Sequence, residues 1–133
     1  MTQQPDDQVN KQALIAELVE LGIKHTPEKI ICIARLANGK IVFLEEGKPG
    51  RRGSGLAHIL EQHKEDFARR GIYEDEIPLA VMAAVTTGTF LMYQGTVQPR
   101  HVYEVIFNGE RQYIAVSVSD NGYIVGANPA SLI

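Results

Sequence analysis

Residues 101–127 read HVYEVIFNGERQYIAVSVSDNGYIVGA, and this stretch predicts three antiparallel strands joined by two tight turns. The turns are Asn-Gly at 108–109 and Asp-Asn-Gly at 120–122, which are typical hairpin turns because these residues tolerate positive φ. In the middle strand apolar residues alternate with polar or small ones, so one face should pack on helices and the other should be partly exposed. The expected strands are 101–107, 112–119 and 123–127.

Upstream, an earlier hairpin and several helices complete the pattern. Apolar, β-branched runs at 30–36 and 40–44 flank Asn38-Gly39, again a hairpin signal. Helical spacing of apolar residues predicts helices, and residues 89–96 fit either a strand or irregular chain. We therefore expect an α+β domain, in which an antiparallel sheet of the N-terminal hairpin plus the C-terminal three-strand meander packs against two to three helices. The expected helices are 10–22, 55–70 and 79–87.

The length of 133 residues fits one domain. Residues 1–9 are polar and are expected to form a flexible tail, followed by a single domain over 10–133. No apolar run approaches the roughly 20 residues of a membrane helix, so no membrane association is expected. The single Cys32 cannot form an internal disulfide, which favours a reducing, cytoplasmic location.

The charge is unevenly distributed along the chain. A net charge of −3 argues against a protein that coats nucleic acid nonspecifically. Residues 47–71 nevertheless carry six basic and three acidic residues, a local charge of +3. Lys48, Arg51 and Arg52 lie in the glycine-rich loop 45–54, just before a helix N-terminus, which suits a phosphate group. The alternative is a solvated, mobile loop without packed structure.

Two histidines lie five residues apart on the helix predicted over 55–70. His58 and His63 are then roughly 140° apart around the helix axis, so they cannot both bind one metal ion, and no metal or other cofactor is expected. His63 falls on the apolar stripe that should face the sheet, and His58 nearly opposite it. As alternatives to catalysis, His63 would be a core histidine and His58 a surface residue.

Other polar residues are candidates with ordinary alternatives. Arg100 and His101 begin a strand and suit an anion contact or a general acid, or simply a polar strand start. Ser117 lies in no Ser-His-Asp pattern and no Gly-x-Ser-x-Gly motif, which disfavours a serine hydrolase. Tyr113 and Tyr123 suit base stacking, or positions at the core and its rim.

Three motifs in order resemble one nuclease superfamily. They are IVFLEEG at 41–47, GLAHILEQH at 55–63 and NGYIVGANP at 121–129. The chain resembles the phage-associated branch of the barnase/EndoU/colicin/RelE-like nucleases, in which a Gly-Leu-x-His-Ile-x-x-x-His helix packs against an antiparallel sheet. The resemblance covers roughly residues 26–129.

The resemblance implies a metal-independent endoribonuclease, toxin-like, acting on an RNA such as tRNA by attack of a ribose 2′-hydroxyl on the adjacent phosphate. Such a reaction needs a base, an acid and cations around the phosphate. It also implies an immunity or antitoxin protein as partner. The implied catalytic residues are His63 first and His58 second as acid and base, Arg100 with His101 at the phosphate, and Thr87 or Ser117 as a hydroxyl donor. The expected substrate-binding residues are Lys48, Arg51, Arg52, Tyr113 and Tyr123.

The chain also departs from the family. It has no clear lysine for an EndoU-type triad, and it lacks the dense positive charge of many ribonucleases. The alternative function is therefore a catalytically inactive nuclease-fold module that binds RNA or a protein partner. A weaker third reading is a small-ligand-binding α+β domain, and the oligomeric state is left open.

Overall fold

The computed structural model describes residues 5–96 and 99–131, with side chains from residue 10 onward. Over these residues the chain forms three α-helices and two antiparallel sheets, which confirms the α+β class. Within this part of the chain, the helices are too short or too polar to cross a membrane. The elements are α1 (Pro5–Glu20), β1 (Ile30–Arg35), β2 (Ile41–Glu45), α2 (Gly55–Ala68), α3 (Ile77–Thr87), β3 (Thr89–Gln94), β4 (Arg100–Phe107), β5 (Glu110–Val118) and β6 (Ile124–Pro129).

Helix α1 begins at Pro5, inside the predicted tail, rather than at residue 10. Proline is tolerated in a first helical turn, where its missing N–H has no partner to lose, and the two aspartates that follow it in the sequence favour a helix N-terminus. Residues 1–4 of the predicted tail lie outside the described residues. Further along α1, Leu18 is fully buried in a small core with Ile41 and Phe43.

The predicted meander is present and gains a fourth strand. The sheet order is β3-β4-β5-β6, and β3 resolves the ambiguity over residues 89–96 in favour of a strand. His101 pairs with Val116, and Ser117 pairs with Gly126. Residues directly opposite in such pairs lie on the same face, whereas successive residues of one strand lie on opposite faces. Arg100 and His101 therefore project from opposite faces of the sheet.

The expected sharing of one sheet between hairpin and meander is wrong. Strands β1 and β2 form a separate two-stranded sheet, and a single parallel bridge between Phe43 and Tyr123 links it to the meander. The Phe43 N–H donates to the Gly122 carbonyl oxygen at 2.9 Å. The backbone of Gly122 comes close to Ile41 because glycine has no side chain, and Val42 and Leu44 of β2 also share the main core with Ile124 of β6. Strand β6 itself is hydrogen-bonded to β5.

Helices α2 and α3 pack on one face of the four-stranded sheet, called here the helix face. Ile114 and Val116 of β5 share a core with Ile59 of α2 and Val81 of α3. The opposite face is less exposed than predicted, because Ala115 is buried there with Val102 and Ala130 in a small cluster of their own. Both faces of β5 are therefore partly buried, and polar groups on either face lie next to apolar packing.

Candidate functional site

A cavity of about 870 Å³ opens at the end of the sheet where β4 begins and β5 ends. Its walls come from the β1–β2 hairpin, α3, β4, β5 and the turn between β5 and β6. Apolar side chains such as Val42 and Val116 form part of the wall. The residues of the wall that could act on or bind a polar ligand are Lys40, His101, Tyr103, Ser117, Ser119 and Asp120.

Two of the predicted catalytic residues, His101 and Ser117, line this cavity. The first of them, His101, is the more exposed. Its ring is exposed, and its Nδ1 lies 3.3 Å from the Tyr103 hydroxyl oxygen. The rings of Phe90 and Tyr93 contact it edge-to-face, with centroid separations of 5.2 and 5.0 Å. Edge-to-face packing of this kind fixes the orientation of the imidazole. Burial raises the pKa of Tyr103, and the neighbouring Tyr93 adds to the effect.

Arg100 lies on the opposite face at the same end of β4. Its guanidinium is half-buried, and Nη1 donates to Asn128 Oδ1 at 2.6 Å. The Asn128 amide in turn donates to Gln94 Oε1 at 3.2 Å. Burial lowers the pKa of Arg100, and no carboxylate within the described part of the chain forms an ion pair with it. A half-buried cation whose polar neighbours are neutral can accept an anion.

Ser117 lies beside this arginine, around Gly126. The Ser117 hydroxyl donates to the Gly126 carbonyl oxygen at 3.3 Å. A Cβ added at Gly126 would lie 2.6 Å from Arg100 Nη2 and 3.5 Å from Ser117 Oγ. The structure thus brings together two of the predicted residues, Arg100 and Ser117, and the absence of a side chain at Gly126 leaves room for the guanidinium.

The two histidines of α2 differ from the prediction in their surroundings. His63 does not bond to the sheet: its Nδ1 donates to Asp66 Oδ2 at 2.9 Å on the same helix, and 27% of its side chain is exposed. It lies between Ile59 and Phe67 on the buried stripe, as expected, but it is only partly buried. His58 is not a free surface residue, because it is part-buried and its Nδ1 donates to the Gly50 carbonyl oxygen at 2.7 Å. Neither histidine lines the cavity.

The glycine-rich loop is packed, contrary to the alternative that it lacks structure. Lys48 and Ser54 exchange backbone hydrogen bonds of 2.9 and 3.0 Å across it. His58 binds the Gly50 carbonyl oxygen, and the Gly50 N–H donates to Glu61 at 2.9 Å. These contacts hold the loop against α2. The sequence could not show them, because each joins groups several residues apart that meet only when the loop folds back on itself and on α2.

The remaining predicted residues lie apart from the cavity. Arg51 and Arg52 are exposed in the loop, and no residue of 47–71 contributes to the cavity wall. Thr87 Oγ donates to the Ala83 carbonyl oxygen at 3.0 Å, an ordinary contact within a helix. The Tyr123 hydroxyl is 2.8 Å from Ser54 Oγ and its ring packs against Phe43, while Tyr113 packs beside the small cluster of the opposite face.

Several residues of the site were not among those predicted. Lys40 and Tyr103 line the cavity, and Phe90 and Tyr93 contact His101. The sequence carried one signal for these rings: the strand TFLMYQ contains two aromatic residues and no charged residue. Gly126 inside a strand run was a second signal, since glycine there often marks a close approach of another group. The partnership of Asn128 and Gln94 with Arg100 depends on strand register alone.

The sequence matches no protein-family model and no curated protein. The resemblance to the nuclease superfamily therefore depends on the three motifs alone and stays a prediction. Within residues 5–96 and 99–131, no three side chains of His, Cys, Asp or Glu cluster in a way that could hold a metal ion.

Proposed function

We propose that this chain is an endoribonuclease that cleaves RNA by transesterification at the cavity beside β4. The observation that carries the proposal is His101, an exposed imidazole held by Phe90 and Tyr93 in the wall of a large cavity. Imidazole exchanges protons near neutral pH, which suits a general acid or base. Lys40 belongs to the same wall and supplies a cation for a phosphodiester.

In this reaction the ribose 2′-oxygen attacks the adjacent phosphorus, and the bond from phosphorus to the 5′-oxygen breaks. The products are a 2′,3′-cyclic phosphate and a free 5′-hydroxyl. His101 takes the 2′ proton, and solvent water in the open cavity supplies the proton that the leaving 5′-oxygen takes up. Tyr103 lies 3.3 Å from His101; a tyrosine hydroxyl is protonated at neutral pH, and burial raises the pKa of this one, so it loses its proton even less readily. It therefore acts as a hydrogen-bond donor to the charge that develops on the phosphate oxygens.

Arg100 extends the proposed site to the other face. Arg100 and His101 are adjacent on β4, so an RNA strand that crosses this end of the sheet meets the imidazole on one face and the guanidinium on the other. Ser117 belongs both to the cavity wall and to the surroundings of Arg100. This assignment replaces His63 with His101 as the first acid–base candidate, because His63 lies outside the cavity.

The test is cleavage of a labelled single-stranded RNA by the purified protein in EDTA. We expect cleavage products that end in a 2′,3′-cyclic phosphate, no cleavage of the same sequence made as DNA, and cleavage at least about 100-fold slower in His101→Ala. Circular dichroism should show that the variant is folded. A folded wild-type protein that cleaves no RNA, or products with 5′-phosphates, would contradict the proposed reaction.

A second candidate is a module that binds RNA without cleaving it. The observation that favours it is the separation of Arg100 and His101 onto opposite faces, since catalysis needs cation and acid–base group around one phosphate. Binding of RNA without cleavage, lost in Arg100→Ala, would support this candidate.

The toxin-like role belongs to the same proposal and is supported by the motif resemblance alone. If the chain cleaves cellular RNA, its expression should inhibit growth, and His101→Ala should relieve the inhibition. An immunity or antitoxin protein would then be expected to cover the cavity. Equal growth inhibition by wild type and variant would mean that the inhibition does not come from RNA cleavage by His101.

A further inference from the structure

Strand β3 presents four consecutive apolar residues to solvent. Phe90, Leu91, Met92 and Tyr93 are 45%, 37%, 44% and 62% exposed, respectively. The strand lies at the edge of the sheet, since its one neighbour in the sheet order is β4. Edge strands of soluble proteins usually carry charged residues or prolines that discourage contact. Such an exposed apolar edge therefore indicates a binding surface.

The two aromatic residues of β3 lie on the helix face. Phe90 pairs with Tyr103 and Tyr93 pairs with His101, whereas Met92 pairs with Val102 on the opposite face. Phe90, Tyr93 and His101 form a triangle of rings, with centroids 5.2, 5.2 and 5.0 Å apart. Each contact is edge-to-face, with interplanar angles of 61° to 78°, so one ring of each pair presents its edge to the face of the other. Edge contacts hold the rings in place without stacking their faces on one another.

We propose that Phe90 and Tyr93 stack an unpaired nucleobase beside His101, so that the substrate is single-stranded RNA. A nucleobase stacks on an aromatic ring whatever its identity, and this mode serves proteins that bind single strands. A base in a duplex has both faces covered by its neighbours and cannot take this position without leaving the stack. The inference rests on the proposed function, because it assigns the substrate class of the same site.

The surroundings of the rings favour this ligand. His101 belongs both to the ring triangle and to the cavity wall, so the two surfaces are continuous. A base on Tyr93 thus has its ribose and phosphate directed to a cavity that contains Lys40. The sequence from Leu79 to Pro99 contains no charged residue, so β3 offers nothing that would select an acidic or a basic peptide. A nucleotide fits these surroundings, because its base is a flat ring for the aromatic side chains and its phosphate carries the negative charge that Lys40 attracts; the same wall contains Asp120, which the phosphate must avoid.

The experiment measures binding of fluorescent 2′-O-methyl oligonucleotides by anisotropy. The 2′-O-methyl group blocks cleavage, so binding is measured whether or not the protein cleaves RNA. We expect the single strand to bind more tightly than a hairpin duplex of equal length. Tyr93→Ala should weaken binding of the single strand by about 5-fold or more, and Tyr93→Phe should leave it within about 2-fold of wild type, since the ring is kept.

Met92→Ala is the matched control, since Met92 lies on the same strand with 44% exposure but on the opposite face. It should bind like wild type. Equal losses in Met92→Ala and Tyr93→Ala, equal binding of duplex and single strand, or no binding by a folded protein would each overturn the inference. So would a wild-type dimer that Tyr93→Ala dissociates without changing oligonucleotide affinity, because a second copy would then be the occupant. Ring-dependent binding by a protein that cleaves no RNA supports the stacking site and contradicts the proposed cleavage.

Discussion

Helix α2 and strand β4 each carry two of the predicted catalytic residues, and the two elements use them differently. On α2, His58 holds the preceding loop through Gly50, and His63 pairs with Asp66 of its own helix. On β4, His101 lines a cavity and is oriented by other rings. The helix carries the more specific motif, whereas the strand carries the geometry that a reaction needs. A motif therefore identifies candidate residues, and the space in front of each side chain decides among them.

The first prediction compares His101 with His63 directly. His101→Ala should lower the rate of RNA cleavage by about 100-fold or more, the usual contribution of a general acid or base. His63→Ala should stay within about 2-fold of wild type, because its ring lies outside the cavity wall. The measurement is the single-turnover rate on one labelled single-stranded RNA, with both variants checked for thermal stability.

The opposite result would assign the reaction to α2 instead of β4. If His63→Ala abolished cleavage and His101→Ala did not, the helix motif would mark the reaction centre, as the family resemblance implies. The cavity beside β4 would then have another use. Loss of activity in both variants, with both folded, would require the two histidines to act on the same phosphate.

The second prediction concerns the loop that His58 anchors. Gly47 and Gly50 both have positive φ, 68° and 104°. A Cβ at Gly47 would lie 1.9 Å from the Ser54 carbonyl oxygen, whereas a Cβ at Gly50 would meet nothing within 4 Å. Gly50→Ala should therefore cost about 1–2 kcal/mol of unfolding free energy from backbone strain alone. Gly47→Ala should cost about 2 kcal/mol more, because backbone atoms must also move.

Urea unfolding of the two alanine variants measures this difference. Gly50→Ala serves as the control, since it lies in the same loop and its φ of 104°, outside the left-handed helical region, imposes at least as much backbone strain as the 68° of Gly47. Equal costs would mean that the loop shifts freely, as the mobile-loop alternative expects. In that case α2 and its loop would not form a fixed support.

Much of the fold followed from local sequence signals. The turns at 108–109 and 120–122 and the alternation in β5 predicted the meander, because both depend on residues close together in the chain. The separation of hairpin and meander into two sheets did not follow. Whether two hairpins share one sheet depends on how strands far apart in sequence meet. Here the backbone link is a parallel bridge at Phe43 and the Gly122 turn, and no local pattern predicts it.

The candidate site was predicted less completely than the fold. Arg100, His101 and Ser117 stood out as polar residues in or beside strands, and the structure brings Arg100 and Ser117 together around Gly126. Phe90 and Tyr93 were missed because exposed aromatic residues in a strand look like core residues in a sequence. Which face each residue takes depends on the register of β3 with β4, including a bulge between Phe90 and Met92.

The smallest predicted effect concerns the hydrogen-bonded pair of His63 and Asp66. The hydrogen bond from His63 holds the pKa of Asp66 below its ordinary value, with Arg69 adding to the effect. A lowered carboxylate pKa stabilises the folded state above the unfolded pKa, and the contribution is lost as pH falls through the folded value. Because the pair is solvent-exposed, Asp66→Asn should cost only about 0.2–1 kcal/mol at pH 6.

That difference between wild type and Asp66→Asn should shrink as the pH falls below about 4, the ordinary aspartate pKa at which the unfolded chain begins to take up the proton, and should vanish once the folded state also takes it up. Urea unfolding at pH 6 and pH 3 measures it, and Glu65→Gln, an exposed neighbour on the same helix, is the control for removing one negative charge. If the pair only stabilises α2, Asp66→Asn should also leave RNA cleavage unchanged. A loss of cleavage beyond about 10-fold, with stability intact, would instead make Asp66 a positioning residue for a catalytic His63, since orienting a histidine is worth far more to a reaction than an exposed pair is to stability.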